Sequence, residues 1–440
     1  MKKSYAVALL LVSFLVSANS FDKDKMNALF DHIEKNNQGM GSVSLFQNGK
    51  EVFHRSIGFA SIADNIKASH KTKYRIGSIS KTFTATMIMQ LVEQGKLSVE
   101  NKLSDFFPSI QNAGKITIEN LLQHRSGIFN ITSDENFGKW MLKETNQKEM
   151  IDRIAQYEPQ FKPGKKMQYS NSNYILLSYI AEKVSNKSYS KLLKDTIATT
   201  CDLHDTYYGG KIKPTKNEAN SYEMLDEWQL SVESDMSFPQ GAGGIVSTPT
   251  DLNKFYSCLF NAKLVNANSL KAMTNLKQGY GYGLGQVPFD SKKAYSHSGR
   301  IDEFYSMTAY FSEDKLTYSY ISNGQVMPTN DIAIGILSIY FGKNYKLPEF
   351  KPTLQHSSEE LDMYLGTYSV STFPLKITIF KKSKTLFAQA TGQGAFPIKA
   401  TKKDVFTFDT AGIVLEFNPK KEGMTLKQGG GVYTMQKEKQ

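Results

Sequence analysis

Ser78 and Lys81 stand three residues apart in RIGSISKTFTATMIMQ, residues 75–90, where a turn-like Gly-Ser pair runs into small and apolar residues at helical spacing. A serine hydroxyl is a poor nucleophile at neutral pH until something accepts its proton, and a lysine one turn further on lies on the same helix face. The same spacing recurs at Ser188 and Lys191, so it needs partners before it signifies catalysis. An acyl-transfer site requires a nucleophile, a proton acceptor and backbone N–H donors aimed at the developing oxyanion. Two further stretches offer candidates. Tyr169 and Asn171, in YSNSNY, stand just before a helical pattern, from which a phenol and an amide can project together. His297-Ser298-Gly299, in YSHSGRIDEF, opens a strand whose glycine lets a substrate backbone come close. Each residue also has a plain structural reading: Ser78 as a helix cap, Lys81 as a surface lysine, Tyr169 as core packing and His297 as an ordinary strand histidine. His124 reads as a loop residue held by local hydrogen bonds.

The elements that must position these groups follow from periodicity. GSVSLFQNGKEVFHRSIGFA, residues 41–60, alternates around Asn48-Gly49 as a hairpin does, and Tyr74–Gly77 reads as a short strand leading into the Lys81 helix. From about Leu97 to Tyr256 the pattern is helical and loop-rich, clearest at residues 173–186. Strands return at 280–287 and at 304–323, the latter pair joined by the charged turn Ser312–Lys315. Strands at both ends around a helical middle imply an α+β fold: one antiparallel sheet flanked by helices, with an inserted helical lobe and a cleft between sheet and lobe. Residues 21–344 make up this domain and 345–360 a proline-bearing linker. Residues 361–440 form a small C-terminal β-barrel, suggested by short alternating segments between Gly, Lys and Asp turns.

At 440 residues, with 40% hydrophobic and 22% charged residues, the chain is of ordinary globular composition, which excludes disorder, collagen and coiled coil. Lys2 and Lys3, the apolar run Ala6–Val16 and the small residues Ala18 and Ser20 predict a cleaved export signal over residues 1–20. The mature protein is then periplasmic or secreted, without a transmembrane span. Cys201 and Cys258 are the only cysteines; Cys258 lies on a helix-like apolar stripe, which favours a small buried hydrophobe over a disulfide. With no HExxH and no CxxC set, no metal site or cofactor is expected. The net charge of +11 comes from scattered lysines. Nucleic acid is not expected as a partner, and the charge would suit weak attraction to an acidic cell-wall polymer.

In the order SISK, YSN, HSG, these stretches resemble the serine β-lactamase and penicillin-binding superfamily, in the branch of class C β-lactamases, D-alanyl-D-alanine carboxypeptidases, D-aminopeptidases and related esterases. ITIENLLQHRSGI (116–128), FKPGKKMQYSNSNY (161–174) and GAGGIVSTPTDLNKF (241–255) extend the likeness. The resemblance implies that Ser78 forms an acyl-enzyme, with Lys81 and Tyr169 moving protons. It implies that Asn171, His297, Ser298, Gly299 and Arg300 bind substrate, and that the backbone N–H groups of Ser78 and Arg300 form the oxyanion hole. Typical β-lactamases carry a lysine where this chain has His297, so a peptide or amide with a D-residue is the expected substrate. Ester and β-lactam hydrolysis are the alternatives, and a non-catalytic wall-binding or penicillin-sensing protein is the reading from another class.

Overall fold

The computed structural model describes residues 21–350, 354, 356–408 and 411–438. The expected export signal lies outside these residues, as does part of the linker. Helix α1 (Lys23–Lys35) is capped by Asp22, whose carboxylate accepts from the Lys25 N–H at 2.9 Å. Met26, Leu29, Phe30 and Ile33 form its buried stripe, the spacing that fastens a helix to a sheet. The sheet begins with β1 (Gly39–Gln47) and β2 (Lys50–Ile57). Asn48 at φ 52° and Gly49 at φ 75° join them, two left-handed residues whose turn matches the strand twist, as the Asn-Gly pair predicts.

Helices α2 (Ser80–Glu93), α3 (Asn171–Ser185) and α4 (Pro249–Phe260) follow, then β3 (Gly285–Phe289), β4 (Lys292–Ile301), β5 (Phe304–Phe311), β6 (Leu316–Gln325) and α5 (Thr329–Tyr340). The antiparallel sheet has the order β3-β4-β5-β6-β1-β2, with Gly39 opposite Gln325 and Gln47 opposite Leu316. It is thus assembled from both ends of this portion of the chain, as expected. Side chains alternate across it. Val43, Leu45, Tyr318 and Tyr320 join α1 and α5 in one core. On the other face Asn253 of α4 donates to Ser44 O at 2.8 Å and accepts from Ser319 Oγ at 2.7 Å, bridging β1 and β6. Helix α2 is buried from Ser80 to Met89. Its threonine hydroxyls are satisfied by carbonyls, Thr82 on Gly283, Thr84 on Gly241 and Thr86 on Thr82, as buried polar groups require.

Three sequence expectations change. The strand expected at 280–287 starts only at Gly285, because Gly283 (φ 70°) bends the chain so closely onto α2 that a Cβ there would lie 2.7 Å from Lys81 O. The C-terminal barrel is closed and has eight strands, from Gly366–Val370 to Gly431–Lys437. Two of them, Phe396–Lys402 and Gly423–Gln428, escape a reading by alternation, the first because it carries Pro397. Finally, Cys201 and Cys258 form a disulfide, with Cα atoms 5.9 Å apart. The apolar-stripe reading of Cys258 is right about burial; what the sequence does not show is that the helix Thr199–Cys201 ends beside it.

The bridge spans a sequence separation of 57, which on loop-entropy grounds stabilises the fold by roughly 4 kcal/mol. Thiol titration of the folded protein should therefore find no free sulfhydryl, and Cys258→Ser should lower the calorimetric unfolding midpoint by several degrees. Equal midpoints for the two proteins would remove the bridge from the account of stability.

Candidate active site

The Ser78 turn is held by backbone contacts that only glycine permits. Strand Tyr74–Arg75 leads into the 3-10 turn Gly77–Ile79 and then into α2. A Cβ on Gly77 (φ 50°) would lie 2.8 Å from Arg300 N, and one on Gly299 would lie 2.1 Å from Ile76 O and 2.9 Å from Ser78 N. The sequence reads Gly299 as room for substrate; the structure uses it to press β4 against the turn. That contact makes the backbone N–H groups of Ser78 and Arg300 neighbours. Arg75, 2% exposed, ties the same region together. Its guanidinium donates to Asp302 Oδ2 at 2.8 Å, Glu233 Oε1 at 2.7 Å, and the carbonyls of Ser234 and Gly210.

Lys81 is fully buried. Its Nζ donates to Ser78 Oγ at 2.9 Å, Asn171 Oδ1 at 2.8 Å and Ala242 O at 2.6 Å. Burial, with no carboxylate among the described residues to oppose it, holds the ammonium pKa well below the usual lysine range. The Ala242 carbonyl reaches it because the segment is glycine-rich: a Cβ on Gly241 would lie 2.5 Å from Ser178 Cβ. Tyr169 presents its ring 4.9 Å from Lys81 Nζ. Burial raises its phenol pKa, with a Ser78 hydrogen bond opposing, so the resting group is a neutral phenol.

Asn171 is committed at both ends. Beyond Lys81, its Nδ2 donates to Thr132 Oγ1 at 3.0 Å and Asn130 Oδ1 at 3.3 Å. His297 is neutral, its pKa pushed down to about 3 by burial first and Lys81 second. Its Nδ1 lies 2.6 Å from Ser298 O, so that nitrogen carries the proton, and Nε2 accepts from Tyr280 O–H at 2.8 Å. Ser298 is exposed. Arg300 is exposed as well, its guanidinium paired with Glu303 at 3.1 Å and lying 4.9 Å from the Tyr305 ring centre. The recurrence of the spacing at Ser188 and Lys191 finds no such partners: Ser188 caps the helix Tyr189–Leu193 by accepting from Lys191 N, and Lys191 Nζ pairs with Asp195. His124 lies in a turn with a local bond from its N–H to Leu121 O at 3.1 Å, as expected, but it is fully buried, its ring bonds are long-range and its ring stands 4.2 Å from that of Tyr169.

Ser78, Asn171, Arg300 and Glu303 line a cleft of about 400 Å³, with Phe137, Met141, Val232 and Phe238 among its apolar walls. Sequence reasoning misses Arg75, Asp302, Thr132 and Tyr280, which carry no motif, and the carbonyl of Ala242. For the last, the glycine richness of residues 241–244 is the available signal.

The Beta-lactamase family model matches residues 26–338. Penicillin-binding protein 4* of Bacillus subtilis (strain 168) is 24% identical over 424 residues, 89% of this chain and 93% of that protein. Teichoic acid D-alanine hydrolase of Staphylococcus aureus (strain MRSA252) is 27% identical over 252 residues, 56% of this chain and 61% of the relative. The crystal structure of D-amino acid amidase from Ochrobactrum anthropi SV3 complexed with L-phenylalanine amide aligns with a TM-score of 0.65 at 25% identity, covering 72% of this chain and 99% of the amidase. With the family model spanning the whole sheet-and-lobe portion that holds Ser78, Lys81 and Tyr169, the chain belongs to the Beta-lactamase family, among the serine hydrolases of the β-lactamase and penicillin-binding superfamily.

Proposed function

We propose that the protein is an exported serine hydrolase that forms an acyl-enzyme on Ser78 and cleaves amides or peptides bearing a D-residue, as a D-alanyl-D-alanine carboxypeptidase does. The observation that carries this reading is the buried Lys81 Nζ, 2.9 Å from Ser78 Oγ. As an ammonium, Lys81 donates to all three of its partners. As a neutral amine it keeps two hydrogens and one lone pair, and of Ser78, Asn171 Oδ1 and the Ala242 carbonyl only Ser78 has a hydrogen to return. Lowering the lysine pKa therefore turns the serine hydroxyl towards a base.

Ser78 Oγ attacks the substrate carbonyl carbon while its proton passes to Lys81 Nζ. The carbonyl electron pair moves to oxygen, which accepts from the N–H groups of Ser78 and Arg300. Tyr169, held as a neutral phenol, gives its proton to the leaving nitrogen as the C–N bond breaks, and regains one from the Lys81 ammonium. Water then releases the acyl group from Ser78. A D-residue is supported by the names of two relatives, a D-amino acid amidase and a teichoic acid D-alanine hydrolase. The neutral His297 offers no fixed charge for a β-lactam carboxylate. Export is supported by the residue 1–20 pattern together with a disulfide, which persists in oxidising compartments.

Ser78→Ala is expected to abolish labelling by a fluorescent penicillin or fluorophosphonate and to lower turnover of a D-Ala-D-Ala peptide or D-amino amide by several orders of magnitude, roughly 10³-fold or more. Ser188→Ala should cost helix stability alone, and equal losses in the two variants would mean the nucleophile is misassigned. In a pH–kcat/KM profile, activity should fall as pH drops through an apparent pKa well below the ordinary lysine value of about 10.4, because protonated Lys81 cannot accept. A profile limited only near that ordinary value would count against Lys81 as base. Arg300→Ala should raise KM for a carboxylate-bearing peptide about tenfold or more while leaving a neutral ester nearly unchanged. An equal penalty on both substrates would argue against recognition of the carboxylate by Arg300.

A further inference from the structure

The Tyr169 phenol has no rigid element of its own. It lies in the loop segment before α3, and α3 starts only at Asn171, with Ser170 at its N-cap. Its ring also meets Tyr280, His297 and Lys81, but the shortest of its ring contacts is to His124, 45 positions earlier. The His124 carbonyl accepts from Gln168 N at 2.9 Å, and its ring Nδ1 lies 3.2 Å from Ser170 N, so the residues on either side of Tyr169 are both bound to His124. The same Nδ1 is 3.1 Å from Asn173 Nδ2, in the first turn of α3. Between these bonds the imidazole faces Tyr169, ring centres 4.2 Å apart, and it also contacts Tyr280 and Tyr174 at 4.7 and 5.1 Å.

We infer that His124 is a positioning residue for Tyr169, setting both the backbone and the ring plane of the proton donor. This rests on the reading of Tyr169 as general acid. The chemistry explains why histidine stands here. Ser170 N–H and Asn173 Nδ2 both donate to Nδ1, so the ring proton is on Nε2, which finds no partner among the described residues. A phenylalanine would keep the ring contact but leave Ser170 N–H without its acceptor; an asparagine would keep an acceptor and lose the ring. A cationic ring would repel Lys81, and burial followed by Lys81 keeps the imidazole neutral. His124 also adopts a left-handed backbone, φ 54°, which non-glycine residues seldom do and which persists where surroundings over-determine it. Neighbouring bonds supply that determination: Ser126 Oγ donates to Asn173 Oδ1 at 2.6 Å, Ile131 N to Ser172 Oγ at 3.1 Å, and Tyr174 OH to Leu122 O at 2.7 Å.

The test is a double-mutant cycle on the full chain, using a D-amino amide and the fluorescent penicillin, with unfolding midpoints recorded in parallel. Tyr169→Phe comes first: if it leaves kcat unchanged, the general-acid reading fails before His124 is at issue. With Tyr169 present, His124→Phe and His124→Asn should each lower kcat about 10- to 100-fold with KM within about twofold, the cost of a misplaced catalytic group. In the Tyr169→Phe background both should be nearly silent, within about twofold, because the group they position is gone. Folded His124 variants that keep wild-type kcat, or whose losses add fully to that of Tyr169→Phe, would overturn the inference. Failure of both variants to fold would overturn it too, by making His124 a determinant of the fold and not of Tyr169.

Discussion

A lysine ammonium buried without a carboxylate is the constraint around which this site is organised. Removing a cation from water is expensive. Lys81 meets that cost with three neutral oxygens, from Ser78, Asn171 and Ala242, which come from three separate parts of the chain. The turn before α2, the start of α3 and the glycine-rich stretch before strand Ile245–Ser247 must therefore converge on one nitrogen. Glycines make that convergence sterically possible at Gly77, Gly241 and Gly299, where any side chain would overlap backbone or packed side-chain atoms. An opposing carboxylate would have cancelled the desolvation and left an ordinary, inert ammonium.

The same dryness sets the protonation state of the whole cluster. Burial lowers Lys81 and His297 and raises Tyr169, so each group is pushed towards its neutral form. Fixed charge is instead kept in ion pairs beside the cleft. Arg300 and Glu303 pair at 3.1 Å along the cleft lining, whereas Asp302, which also lines it, is held in a buried pair with Arg75 at 2.8 Å. Asp302 also accepts from Ser234 N and Oγ, so the loop after β4 and the segment before the Ser78 turn are referred to one guanidinium.

Several side chains of the candidate site were legible in the sequence: Ser78 and Lys81 by helical spacing, Tyr169 and Asn171 by adjacency to a helix start, and His297 by its strand pattern, although it lies well inside β4 and does not open it as the sequence reading had it. The two-ended sheet was legible too, because β1, β5 and β6 alternate and Asn48-Gly49 announces a hairpin. Contributions of the backbone were not, since the Ala242 carbonyl and the left-handed turn at Gly283 leave no side-chain signature. Long-range pairings were equally hidden. Arg75 meets Asp302 across 227 positions, and Cys258 on an apolar stripe reads the same with or without a bonded sulfur. His124 shows a third kind of silence, because a buried histidine's task depends on what faces its two nitrogens.

The pairing of β1 with β6 also carries a consequence for biogenesis. The partner of Gly39–Gln47 is Leu316–Gln325, so the first hairpin emerges with one hydrogen-bonding edge open and its neighbour still unsynthesised. At typical elongation rates the roughly 270 intervening residues take about 15–50 s to arrive, far longer than the microseconds in which a hairpin forms. An open edge of apolar, β-prone sequence is a template for wrong partners. A chain held unfolded until all strands of the sheet exist never presents that edge alone. A topology closed by its last strand is thus suited to delayed folding, at the cost of slow, non-local sheet assembly.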